Sequence, residues 1–162
     1  MSTHTVDPSE EGAYSSVGAA IKASQPGDRI LVRPGLYREG LIIEKAVEIV
    51  GDGPASAIAI EARGADAVLF SADSGRVANL TLRQVGGEGK WFGVDISAGC
   101  LLLEDCDVTS ESLACVAIHD GADPVVRRNR IRDGKQGGVH VYEQGRGTIE
   151  DNEIVGNAGA GV

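Results

Sequence analysis

Aromatic residues are scarce in this chain: one Trp, three Tyr and two Phe among 162 residues. A core must therefore be built from aliphatic side chains. Cysteine is scarcer, with Cys100, Cys106 and Cys115 alone. An odd count with no CxxC pair excludes a disulfide framework and argues against a zinc site. No apolar run approaches the ~18 residues of a spanning helix, and Met1–Asp7 lacks the apolar stretch of a secretory signal. The reading is a cytoplasmic protein with reduced thiols. Positive charge is in deficit: 15 Lys and Arg against 24 Asp and Glu leave a net charge of −9. That disfavours nonspecific nucleic acid and anionic membranes as partners.

Glycine, by contrast, is abundant: 23 of 162 residues, twice the usual share of about 7%. It punctuates an internal repeat. Asp123–Val139 aligns with Arg146–Val162 at an offset of 23 residues (123 to 146), bringing Asn129 onto Asn152, Ile131 onto Ile154 and Gly138-Val139 onto Gly161-Val162. Leu103, Cys106, Val108 and Cys115-Val116 fall one unit earlier, and Val77, Leu80 and Leu82 another, with an insertion near Gly86–Trp91. Within each unit short pieces alternate with period two, as in Val94-Asp95-Ile96, Val116-Ala117-Ile118 and Val139-His140-Val141. Short strands in units of this length predict an all-β solenoid, a single-stranded right-handed parallel β-helix.

Stacked coils place equivalent residues ~4.8 Å apart. The expected inward columns are Leu103/Val126/Ile149, Val108/Ile131/Ile154, Val94/Val116/Val139 and Ile96/Ile118/Val141. Asn129 over Asn152 predicts an asparagine ladder, with Cys106 as a small buried filler in the same column. Outward, Glu104/Arg127/Glu150, Asp105/Arg128/Asp151 and Asp107/Arg130/Glu153 alternate in sign. The Arg127-Arg128-Asn129-Arg130 cluster is thus expected to pair with acids and set register, since a slipped coil would stack like charges.

Upstream, Tyr14, Val17, Gly18 and Ile21 follow helical spacing and Ser24–Asp28 ends the pattern. Residues 1–11 are expected to be a flexible N-terminus, 12–26 a short capping helix, and 27–162 the β-helix, incomplete at its C-terminal end. Ser16–Ile21 with Pro26–Glu39, and Val47–Gly53, resemble the opening of pectin-lyase-like β-helices. Pro124–Ile131, Gly134–Val139 and Gly145–Ile154 are similar to the repeats of the carbohydrate-binding and sugar-hydrolase (CASH) class. The F-box β-helix proteins, substrate receptors of a ubiquitin ligase, and their bacterial relatives carry such repeats. The resemblance implies the fold and leaves the activity open, since these repeats encode stacking.

Chemistry is expected on an outward strand face. Asp95, Ala117 and His140 form one column; Ser97, His119 and Tyr142 the next; Asp120 and Glu143 stack beside them. His119, His140 and Tyr142, with Trp91 of the Lys90-Trp91-Phe92 loop as an aromatic platform, are the candidate ligand-binding residues. Asp95, Asp120, Glu143 and His140 would be the catalytic groups of an enzyme. The catalytic patterns that the resemblance would bring are not matched: His119–Pro124 lacks the Asp-Pro-His-Asp run of the C5 epimerases, and no outward arginine is free near the acids. Asp120 and Glu143 could share a proton or bind a cation, calcium being the candidate; without further oxygen ligands, no metal or other cofactor is expected. The preferred reading is a non-catalytic recognition or scaffold module for a protein segment or glycan. The alternatives are a carbohydrate-active lyase, hydrolase or epimerase, and a structural solenoid assembling end to end. The last repeat stops within its strand and has no cap, so self-association through that coil, or continuation in a longer chain, is expected.

Overall fold

The computed structural model describes residues 1–162. Eighteen short strands wind into three parallel sheets of seven, six and five strands. The first sheet runs from Thr3–Val6 to Thr148–Glu150, the second from Gly35–Tyr37 to Glu153–Val155, and the third from Leu41–Ile43 to Val139–Val141. Each neighbour in a sheet comes from the next coil, so the molecule is a parallel β-solenoid. Side chains alternate across each strand, and one aliphatic core fills the interior.

The register reproduces the expected columns. Leu103 pairs with Val126 and Val126 with Ile149; Val108 with Ile131 and Ile131 with Ile154; Val94 with Val116 and Val116 with Val139. Val141 departs from its column: it is 41% exposed, whereas Ile96 and Ile118 are fully buried. It sits on the terminal strand of the third sheet, with no further strand stacked on it.

Between the first and second sheets the chain turns a corner at the same place in four coils. Asn79, Asp105, Arg128 and Asp151 all take φ between 53° and 59° there. Asn and Asp tolerate this left-handed region because their side chains bond locally. Arg128 is the departure, and its guanidinium is fixed by Asp105 (3.0 Å) and Glu104 (2.6 Å). The next position carries the asparagine ladder. Cys106 N–H donates to Asn129 Oδ1 (2.9 Å), Asn129 N–H donates to Asn152 Oδ1 (2.9 Å), and each amide donates to the strand before it. Burial pushes the Cys106 thiol up to about 12, consistent with an inert filler.

The arginines of the alternating columns are ion-paired. Glu104, only 2% exposed, accepts from Arg76 (2.9 Å), Arg127 (3.1 Å) and Arg128 (2.6 Å). Burial opposes its charge, yet Arg76 and Arg127 hold its carboxyl below the ordinary range. One expected partnership is exchanged. Asp107 and Arg130 are register neighbours, but Asp107 binds Arg132 (3.0 Å) and Arg130 turns to Glu153 (3.6 Å). Arg132 lies on the same side of its strand two residues on, and its fork reaches diagonally to Asp107.

At the other end α1 spans Val17–Ala23, narrower than 12–26, and buries Val17, Ala20 and Ile21 over the first coils. Glu39 accepts the Val17 and Gly18 N–H groups (2.9 and 2.8 Å), while Lys45 donates to the Ser24 carbonyl (2.8 Å). Both helix ends are thus satisfied by side chains from neighbouring coils. Residues 1–11 are not a free lead-in. Thr3–Val6 pairs in parallel with Arg29–Val32, and Val6 is fully buried. The reason is Asp28, whose carboxylate accepts from Gln25 N–H (2.8 Å) and Ser2 N–H (2.9 Å) and lies 2.9 Å from His4 Nε2.

Those backbone donors, with His4, hold the Asp28 carboxyl well below its ordinary range. A depressed folded-state value contributes stability above the unfolded value of ~3.9 and loses it as pH falls through the folded one. Asp28→Asn should therefore lower the melting temperature at pH 7. The gap to the parent should narrow as the melts are repeated below pH 4. An equal gap at every pH would show that the carboxylate charge is not what ties down the N-terminal strand.

Candidate functional site

The third sheet presents its outward face as ordered columns. Ile42, Leu69, Asp95, Ala117 and His140 are successive register partners. Just beyond the strands, Ser97, His119 and Tyr142 donate their N–H groups to Phe70, Ile96 and Ile118 of the preceding coil, which aligns them in turn. The two columns expected from the sequence are therefore present. They bring His119, His140 and Tyr142 together. Tyr142 stacks on His119 with ring centroids 4.9 Å apart and planes 14° from parallel, and His140 packs against Tyr142 at 4.7 Å.

His119 is the hub of this cluster. Its side chain is 14% exposed, with Nε2 at 2.5 Å from Asp95 Oδ1 of the preceding coil and Nδ1 at 3.3 Å from Asp120 Oδ2. Burial disfavours its charge, but the bond to Asp95 and the attraction of Asp95 and Asp120 outweigh it and raise its pKa. Asp95 is thus engaged as the partner of an imidazole.

Both strands leave the sheet through tight turns. His119-Asp120-Gly121-Ala122 closes with Ala122 N–H donating to the His119 carbonyl (3.1 Å), and Tyr142-Glu143-Gln144-Gly145 closes likewise (2.9 Å). The two central residues of each have positive φ: 52° and 76° in the first, 46° and 64° in the second. These are type I′ turns, which favour Asn-Gly or Asp-Gly. Asp120-Gly121 fits; Glu143-Gln144 does not. The turns set the Asp120 and Glu143 carboxylates beside each other. A hydrogen bond with Asp120 and its repulsion push the Glu143 carboxyl up. The ligating atoms of His119, Asp120 and Glu143 all lie within 4.8 Å of one another.

Beside the rings a groove of about 240 Å³ opens, lined chiefly by Phe92, Leu113, Ala114, Gly137, His140 and Tyr142. Phe92, which lines it, directly follows the insertion Gly86–Trp91. The fully buried Gln84 staples that segment: its amide donates to the Val85 and Gly86 carbonyls, and its oxygen accepts from Ser110 and Glu111. The aromatic platform differs from expectation in one residue. Trp91 is not among the groove residues; its indole packs over Gly89, and its backbone is bonded to Ser112 and Leu113. Phe92 lines the groove instead. Its N–H donates to Asp66 Oδ1 (2.7 Å).

Asp66 is the acid that sequence reasoning missed. It stands two residues before Val68 as Phe92 stands two before Val94, so extending the columns by one coil would have found it. Burial, reinforced by Asp95 and opposed by the Phe92 N–H and His119, raises its carboxyl to about 6. The face thus carries four carboxyl groups, two imidazoles and an aromatic ledge. Such a surface suits a ligand with an apolar side and hydrogen-bond donors, and it repels anions.

Residues 65–162, more than half of the chain, match the model of the right-handed β-helix region. The chain belongs to the right-handed β-helix family. It is 37% identical over 81 residues to the F-box protein SKIP5 of Arabidopsis thaliana, a match covering 48% of this chain and 30% of that protein. The matched part is thus less than a third of that relative's length. In fold, the chain is similar to the crystal structure of a pectin methylesterase from Aspergillus niger. The TM-score is 0.55 at 14% identity, over 98% of this chain and 86% of that one. At that identity the likeness concerns the fold.

The two non-glycine residues in the second turn have a measurable cost. A left-handed residue other than Gly costs about 1–2 kcal/mol, part of which Gly returns through its greater unfolded-state freedom. Gln144→Gly should stabilise the chain by about 0.5–1 kcal/mol in denaturant titrations. Loss of stability would mean that the Gln144 side chain makes a compensating contact.

Proposed function

We propose that this chain is a non-catalytic recognition module that takes a protein segment or glycan on the outward face of its third sheet. The observation that carries the reading is the groove between Phe92, Leu113, His140 and Tyr142, flanked by the carboxylates of Asp120 and Glu143. An inserted sugar ring or side chain can stack on Tyr142 while its hydroxyl, amide or cationic donors face the acids. With four carboxyl groups nearby and a net charge of −9, neutral or basic ligands are favoured over polyanions. The likeness to an F-box protein supports a recognition role.

Titration calorimetry against neutral oligosaccharides, basic peptides and polygalacturonate tests this reading. We expect binding among the first two classes only, weakened at least tenfold, or about 1.4 kcal/mol, by Tyr142→Ala with the melting temperature retained. Binding that is indifferent to both Tyr142→Ala and His140→Ala would remove the groove from the interaction.

A second reading, a carbohydrate-active enzyme, is favoured by one feature: the buried contact between Asp95 and His119 beside an open groove, an arrangement able to hold or move a proton. Turnover of any polysaccharide in the same panel, abolished by Asp95→Asn with the fold intact, would establish catalysis in place of simple binding.

A further inference from the structure

We propose that His119 Nδ1 and the carboxylates of Asp120 and Glu143 form a binding site for a divalent transition-metal ion. Three independent observations converge on it. The first is the donor set: an imidazole nitrogen and two carboxylate oxygens, all within 4.8 Å of one another, contributed by two successive coils. Ligands at ~2.1 Å around a tetrahedral ion stand about 3.4 Å apart, close to the 3.3 Å already separating Nδ1 from Asp120 Oδ2.

The second observation is the state of the imidazole. Nε2 is occupied by Asp95 at 2.5 Å. Nδ1 is inaccessible to solvent and has no well-aligned hydrogen bond; its polar neighbour is Asp120 Oδ2 at 3.3 Å, itself a member of the donor set. A carboxylate holding the far N–H of a histidine is the usual outer support of a metal-ligating imidazole: it fixes the tautomer and turns the lone pair toward the ion. Asp95 is therefore a positioning residue.

The third is a break in the charge pattern. Glu104/Arg127/Glu150, Asp105/Arg128/Asp151 and Asp107/Arg130/Glu153 alternate in sign from coil to coil. Asp120 over Glu143 does not, and neither carboxylate has an arginine or lysine partner. A cation between them would restore the alternation.

The donors also select the ion. Calcium takes six to eight oxygen ligands in flexible cages, which this site does not offer. An imidazole with two carboxylates suits zinc, manganese or cobalt. Three protein ligands leave at least one position open, facing solvent beside exposed Asp120 and Glu143. The inference goes beyond the recognition reading and does not depend on it, because metal binding is measured with no organic ligand present.

The test is titration of the full chain, stripped with chelator, with Zn²⁺, Co²⁺ and Ca²⁺ by calorimetry and, for Co²⁺, by visible absorption. We expect one Zn²⁺ or Co²⁺ per chain, cobalt bands of a low-coordinate site, and much weaker Ca²⁺ binding. Glu143→Gln and Asp120→Asn, both exposed and tolerant of the turn, should each weaken Zn²⁺ at least about tenfold, a change that even outer-sphere substitutions reach. Cys100→Ser, the exposed thiol elsewhere, should leave it unchanged. Absence of stoichiometric binding, a preference for Ca²⁺, or Zn²⁺ affinity surviving both carboxylate changes would each overturn the proposal. Circular dichroism of each variant confirms that the coil itself is intact.

Discussion

Everything in this structure depends on equivalent residues of successive coils standing one strand spacing, about 4.8 Å, apart. At that distance a column is a chemical commitment. Aliphatic columns fuse into one core, asparagine columns become amide ladders, and charged columns must alternate or repel. Glu104 shows the force of the rule. It is nearly fully buried, and it remains charged because Arg76 precedes it and Arg127 and Arg128 follow it. A lone buried carboxylate would cost several kcal/mol; surrounded by three guanidinium groups it pins the register of three coils.

Against such consistency, departures carry information. They gather on the outward side of the third sheet. Two carboxylates stack there with no arginine or lysine between them, a solvent-inaccessible ring nitrogen faces one of them without a well-aligned hydrogen bond, and Glu143 and Gln144 adopt a conformation that glycine prefers. A fourth acid, Asp66, is held back from full ionisation at neutral pH by its burial. Any one of these occurs at ordinary surfaces. Their coincidence beside an aromatic-lined groove separates this face from the other two, whose stacked charge columns alternate in sign.

The fold was legible because the repeat sets register directly: once Asn129 is laid over Asn152, every strand partner from Leu103 onward follows. The site was legible to the same extent, since His119 over Tyr142 and Asp95 beside His140 are matters of column. What escaped were contacts that the columns do not encode. Arg132 reaches Asp107 diagonally because of the length of its side chain. Phe92 lines the groove and Trp91 turns away because Gln84 and Ser112 tether the insertion, a network specific to one coil. The strand Thr3–Val6 has a single buried valine and no repeat partner in sequence. Its place is set by Asp28, which gathers backbone donors from both sides of the helix. Asp66 was missed for another reason: its coil belongs to the irregular half, where the period had loosened.

The strained turn can persist because the solenoid holds it from both ends. Tyr142 N–H donates to the Ile118 carbonyl (3.0 Å) on entry, and Arg146 N–H donates to the Ala122 carbonyl (2.7 Å) on exit. These ladder bonds fix the start and finish of Tyr142–Gly145 over the turn below, leaving only its two central residues to absorb the mismatch. A Gly at position 144 would relieve the backbone without moving Glu143, since the anchors lie outside the pair. The cost of placing an acid above Asp120 is therefore local, and it need not propagate into the core. A repeat architecture can in this way carry a costly constellation on one coil while neighbouring coils supply the stability. That separation lets one face depart from the alternation that the rest of the molecule obeys.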